Sequence, residues 1–280
     1  MDIIELMKKE GFRRKLSVNT IKAYCFCVRR FLAFCNKEPK KVTKKDIREY
    51  VGYLAGKGKS GNTLNVYLNA VKFMTEQLLF KNWRLNIKYS KVPNELPAVL
   101  TKDVVSRLID SIENAKHKLM VSLMYSAGLR LSELVHLKVK DFDLTNNYGW
   151  VRHGKGNKDR LFILSERLKE EILRVIKNRH YDSYLFIGNN KRHISKESIY
   201  IIVKKAAKKA NIIKNVHPHT LRHSFATHLI ENNCNVCSLQ SLLGHNSTQT
   251  TMAYVHIASP NMINVKSPFD SLVLPLGKFI

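Results

Sequence analysis

The chain has 280 residues, 44% of them apolar, and 48 lysines and arginines against 22 aspartates and glutamates give a net charge of +26. That length exceeds a usual single core and favours two domains, and the apolar content excludes disorder as the default. The charge points to a polyanion, with nucleic acid ahead of an anionic membrane surface. Residues 1–97 carry 21 basic and 8 acidic side chains and residues 98–280 carry 27 and 14, so each part holds +13, as expected of a clamp closing on one polyanion.

From the N-terminus, Ser17 is placed to cap a helix with Ile21, Tyr24, Val28, Phe31 and Cys35 along one stripe. Thr43-Lys-Lys-Asp46 reads as a capping box before Ile47, Val51 and Leu54, with Gly56 as a left-handed stop. Asn62 or Thr63 opens a third helix burying Leu64, Tyr67, Leu68, Val71 and Leu78. These segments predict a small helical bundle with a basic face. Residues 88–98, with Pro93 and Pro97, read as a linker, and the domain boundary is expected near Leu96, giving domains 1–95 and 96–280.

Beyond the linker, helices are expected from Thr101, over Ala115–Ala127 with a stop at Gly128, and over Ser132–Leu137. Strands at Tyr148–His153 and Arg160–Leu164 flank the turn-rich Gly154-Lys-Gly-Asn-Lys-Asp159, which suits a hairpin. Further helices are expected at Glu166–Asn178, Lys196–Ala210, Thr220–Glu231, Val236–Leu243 and Thr248–Tyr254. The predicted fold is mainly α with a small antiparallel β-sheet.

No stretch approaches the roughly 18–20 apolar residues of a membrane span, and Met1-Asp-Ile-Ile-Glu5 does not open like a secretory signal. The five cysteines (Cys25, Cys27, Cys35, Cys234, Cys237) are odd in number and unevenly placed, so they do not read as a disulfide framework. The expected location is a reducing cytoplasm, with no membrane partner.

Three motifs in the second domain carry chemistry. Arg130 follows the Gly128 stop and opens a helix, where free N–H groups and a planar guanidinium suit a phosphate. His219 and Arg222 lie three apart and project to one side of their helix, joining an imidazole to an arginine. Glu231 is the sole carboxylate between residues 198 and 269, which leaves Arg222 almost no local acid. Leu243-Gly-His245 presents an imidazole from a loop, and Tyr254 follows on a short helix. A competing metal reading joins His219 and His223 with Cys234 and Cys237, but one Cys-x-x-Cys pair is weak support for zinc.

Taken together, Arg130, Lys155, His219, Arg222, His245 and Tyr254 resemble in order and spacing the catalytic constellation of the tyrosine recombinases, also called phage integrases. Gly128-Leu-Arg130-Leu-Ser-Glu-Leu134, Gly154-Lys155-Gly-Asn-Lys-Asp-Arg160, His219 through Leu229, Leu243-Gly-His245 and Tyr254 carry the likeness, which runs from about Ser17 to the end and is most similar to the compact Xer-type members. The resemblance implies a SAM-like core DNA-binding bundle followed by a catalytic domain, and a site-specific recombinase working through a 3′-phosphotyrosyl intermediate without cofactor or metal. It implies Tyr254 as nucleophile and Lys155 as general acid, with Lys158 a rival for that role. Arg130, Arg222 and His245 then hold the phosphate, His219 is the base for the phenol, and Glu133 supports Arg130. His217, His223 and His228 are read as structural, His223 with a possible share in the phosphate site. Double-stranded DNA is the expected partner, with a homotetramer on two duplexes joined through the apolar tail 260–280. Resolution of chromosome or plasmid dimers is the expected role; integration of a mobile element, or a catalytically silent DNA-binding protein of this fold, are the alternatives.

Overall fold

A computed structural model describes residues 2–81, 83, 86–92, 97–152, 154, 159–188, 192–244 and 248–258. The chain divides into two compact units, Met1–Glu95 and Leu96–Ile280.

The first unit is built from α1 (Ile3–Arg13), α2 (Val18–Cys35), α3 (Lys44–Gly56) and α4 (Gly61–Lys72), the last running on as a π-helical segment Phe73–Leu78. Side-chain caps start all four. Asp2 accepts from the Ile4 N–H, Ser17 from Thr20, Thr43 from Asp46 and Ser60 from Thr63. Asp46 returns a bond to the Thr43 N–H at 2.8 Å, completing the capping box. The helix α1 was absent from the sequence reading, and two details of the others differ from it. The cap of α4 is Ser60 rather than Asn62 or Thr63, and the left-handed residue after α3 is Gly58, two positions beyond Gly56. Apolar faces of α2, α3 and α4 meet around Val28, Phe31, Ile47, Leu68, Val71 and Met74, all buried.

The second unit contains α5 (Lys102–Asp110), α6 (Ala115–Ser126) and α7 (Leu131–His136), then β1 (Phe142–Asp143), β2 (Tyr148–Val151) and β3 (Arg160–Ile163). It continues with α8 (Lys169–Ile176), α9 (Lys196–Lys209), α10 (Pro218–Glu231), α11 (Val236–Leu243) and α12 (Thr248–Ala258). The sheet is antiparallel in the order β1-β2-β3, with Val151 opposite Arg160 and Tyr148 opposite Ile163. β1, absent from the sequence reading, is only two residues long and has no periodicity to detect. The main core gathers Leu108, Met120, Leu123, Leu134, Phe162, Ile199 and Leu221. A second cluster, Phe225, Leu239, Leu243 and Tyr254, joins α10, α11 and α12. Among the described residues no helix is long and apolar enough to cross a membrane.

Candidate active site

The site begins where α6 stops. Gly128 takes φ 58°, and a Cβ there would collide with the Phe225 ring, so both conformation and space demand glycine. The turn delivers Arg130 as the residue preceding α7. Glu133, in the first turn of α7, accepts from the Arg130 backbone N–H at 2.8 Å and from Arg130 Nη1 at 2.7 Å.

Glu133 is not reserved for Arg130. Arg160 Nη2 donates to its Oε2 at 2.6 Å, and Arg222 Nη1 lies 3.7 Å from the same oxygen. One buried carboxylate therefore faces three guanidiniums. This corrects the expectation that Arg222 has almost no acid to pair with: no neighbour in sequence supplies one, but α7 does. Burial opposes the Glu133 charge; Arg160, the Arg130 N–H and Arg222 outweigh it and hold the carboxyl below its ordinary value. Burial, then the charge of Arg130, pulls the Arg222 guanidinium below its ordinary value.

The other ends of the three arginines collect backbone carbonyls. Arg222 donates to Gly128 O at 2.6 Å and to Leu243 O, Arg160 donates to Leu242 O, and Arg130 reaches Gly244 O at 3.2 Å. The Leu242, Leu243 and Gly244 carbonyls end α11 and that of Gly128 follows α6, and the final turn of any helix leaves acceptors unpaired. Gly244 follows at φ 59°, and a Cβ there would stand 2.8 Å from Arg160 Cδ. The guanidiniums are thus fixed in place by the protein itself. Arg160 escaped the sequence reading, although a signal existed: strand alternation puts it on the same inward face as Phe162, and an arginine on a buried face needs a partner.

α10 starts two residues earlier than expected. His217 caps it, its Nδ1 accepting from the Thr220 N–H at 3.3 Å, and Pro218 occupies the first turn. Arg222 on this helix is buried, His219 is exposed and His223 is half-buried. Tyr254, on α12, is buried with its ring among Phe225, Leu239 and Leu243. Its hydroxyl lies 3.0 Å from His223 Nδ1, so the imidazole meeting the phenol belongs to the residue beside Arg222 rather than to His219. The rings of His219 and His223 are 6.2 Å apart. Burial raises the Tyr254 phenol above its ordinary value, and Arg222 and Arg130 draw it part of the way back. Burial, then the positive field of Arg222, lowers His219.

The structure therefore brings Arg130, Glu133, Arg222 and Tyr254 into one neighbourhood within a single chain, with His219 on its open side. Lys155, Lys158, His245 and the tail 260–280 lie outside the described residues.

Comparisons with known proteins give the family. Residues 98–260 match the model of the phage integrase family, and residues 3–85 match the phage integrase N-terminal SAM-like domain. The chain belongs to the phage integrase family. A tyrosine recombinase of Thermosipho africanus is 35% identical over 88% of this chain and 91% of that protein. Tyrosine recombinase XerA of Pyrococcus horikoshii is 35% identical over 88% of this chain and 86% of its own. A crystal structure of the XerH site-specific recombinase, bound to a palindromic difH substrate, superimposes with a TM-score of 0.73 at 21% identity, covering 95% of this chain and 84% of that one. At that identity it speaks for the fold. The chain is a tyrosine-type, site-specific DNA recombinase of Xer-like build.

Proposed function

We propose that this recombinase cuts DNA by attack of the Tyr254 hydroxyl on a backbone phosphate, forming a 3′-phosphotyrosyl bond and releasing a 5′ hydroxyl. The observation that carries the reading is the 3.0 Å approach of the Tyr254 hydroxyl to His223, next in sequence to the Arg222 that shares Glu133 with Arg130. A phosphodiester repels nucleophiles, and a reaction on it accumulates negative charge that fixed donors stabilise. Arg130 and Arg222 grip the non-bridging oxygens through their planar, fork-shaped guanidiniums. His219, exposed on the turn below Arg222, adds a donor to the phosphate, as does His245. Lys155 protonates the departing 5′ oxygen. The phosphotyrosyl bond conserves the energy of the one it replaces, so a 5′ hydroxyl from a second duplex reverses the step.

The direct test uses a duplex nicked close to the cleavage point, from which the cut fragment diffuses away. The expected product is a covalent protein–DNA adduct whose DNA-bearing peptide contains Tyr254. An adduct on any other residue overturns the reading.

The Xer-like relatives support resolution of chromosome or plasmid dimers as the biological role, in the cytoplasm, with double-stranded recombination sites as partner. On this reading four copies join two duplexes, and the apolar tail 260–280 docks each copy onto its neighbour. Removing residues 260–280 then leaves DNA binding intact and abolishes strand exchange between two sites. Undiminished exchange by the shortened chain refutes the tail's role.

A further inference from the structure

We propose that His223 is the group that receives the phenolic proton of Tyr254 during cleavage and returns it during rejoining. This rests on the reading of Tyr254 as nucleophile and adds to it a residue which the motif comparison treats as structural.

Geometry comes first. His223 Nδ1 is 3.0 Å from the Tyr254 hydroxyl, within ordinary hydrogen-bond distance, and the two rings are 5.8 Å apart at 41°. Transfer along this contact needs no rearrangement. His219, by contrast, is exposed and has its ring centre 6.2 Å from that of His223, on the side open to a phosphate. Of these two imidazoles of α10, His223 meets the nucleophile while His219 is left exposed.

Electrostatics then fixes the resting state. Burial, joined by the fields of His219, His217 and Arg222, pushes His223 down to about 4. The imidazole is neutral at working pH, and with its proton on Nε2 the ring offers Nδ1 as the acceptor. Burial keeps the Tyr254 phenol protonated. Neither group is charged before DNA arrives. As the bond from Tyr254 Oη to phosphorus forms, that oxygen loses electron density and its proton becomes strongly acidic, so a weak base suffices. The O–H bond breaks toward His223 Nδ1, the bond from phosphorus to the 5′ oxygen breaks, and that oxygen takes its proton from the general acid, Lys155. In rejoining the weakly held proton on His223 returns readily to the departing phenolate. A stronger base would favour cleavage at the expense of the return.

Single-turnover formation of the covalent adduct on the nicked duplex tests this. The His223→Ala variant is expected to bind DNA normally and to form adduct about 100-fold more slowly, the usual contribution of one positioned base. Adding imidazoles and pyridines of graded basicity is expected to restore the rate, with the rescue rising as basicity rises, which mere filling of a cavity does not produce. The His223→Asn variant, which keeps a hydrogen-bonding group near the Nδ1 position but cannot hold a proton, is expected to be as slow as the alanine variant. A wild-type rate in either variant, or rescue independent of basicity, overturns the proposal. Tyr254→Phe runs beside them: if it still forms adduct, the nucleophile assignment fails, whereas loss of adduct there with full activity in both His223 variants fails only His223.

Discussion

Replacing Tyr254 with phenylalanine is expected to remove covalent adduct formation, by on the order of 10⁴-fold or more, while DNA affinity stays nearly unchanged. The two effects separate, on the proposed reading, because the guanidiniums that would hold the phosphate have anchors other than the phenol. Arg130 and Arg222 are anchored by Glu133 and by the carbonyls of Gly128, Leu243 and Gly244, none of which the substitution alters. A phenylalanine ring keeps the packing against Phe225, Leu239 and Leu243. The phenylalanine variant gives up the hydrogen bond to His223, worth about 1 kcal/mol. Gel-shift titration and denaturing electrophoresis of the same samples measure both quantities. Adduct from the phenylalanine variant, or a collapse of affinity, contradicts the expectation.

The second large effect is on stability. Among the described residues, Glu133 pairs with Arg130, Arg160 and Arg222 at 2.7, 2.6 and 3.7 Å. Glu133→Leu removes that carboxylate from beside the three guanidiniums. Removing one member of a buried ion pair costs about 3–5 kcal/mol. For a unit of this size that lowers Tm by roughly 10 °C. The sign of the acid response follows from the same contacts. The folded carboxyl sits below its unfolded value, so its contribution is complete above the unfolded pKa of about 4.3 and is lost as pH falls through the depressed folded value. Thermal melts of wild type and Glu133→Leu therefore differ most near neutrality and converge in acid. A melt that shifts little at pH 7 contradicts this account of the cluster.

Much of the fold was legible because the signals are local. Ser17 and Thr43 cap the helices they were read to cap, the helix read from Thr101 begins there with Thr101 as its cap, and Gly128 follows the end of α6 where a stop was read. The α1 helix was missed because its stripe of Ile3, Ile4 and Met7 is short and ends on Gly11, a poor helix former. The early start of α10 was missed because histidine is an uncommon cap, although Pro218 at the first helical position was a usable sign. Arg130, Glu133, Arg222 and Tyr254, which the structure brings together, were named from the sequence, but their contacts were not. Spacing along one helix separates His219 from Arg222, but only packing of α12 against α10 decides which imidazole touches Tyr254. In the same way nothing near Arg222 in sequence announces Glu133, and Arg160 becomes visible only when β3 is seen to face inward toward α11. Tertiary pairing of charges has no local period to read.

The shared carboxylate has a further consequence for which species the site fits best. Three guanidiniums (Arg130, Arg160, Arg222) and one carboxylate (Glu133) sum to +3 − 1 = +2 among the described residues. An intact phosphodiester brings one negative charge, and the five-coordinate phosphorane halfway between DNA and tyrosine brings two. On the proposed reading, the excess positive charge of this cluster attracts the doubly charged phosphorane more strongly than either singly charged end state, so it favours the species that must be passed through. Both chemical end states carry the same single charge, so neither is trapped.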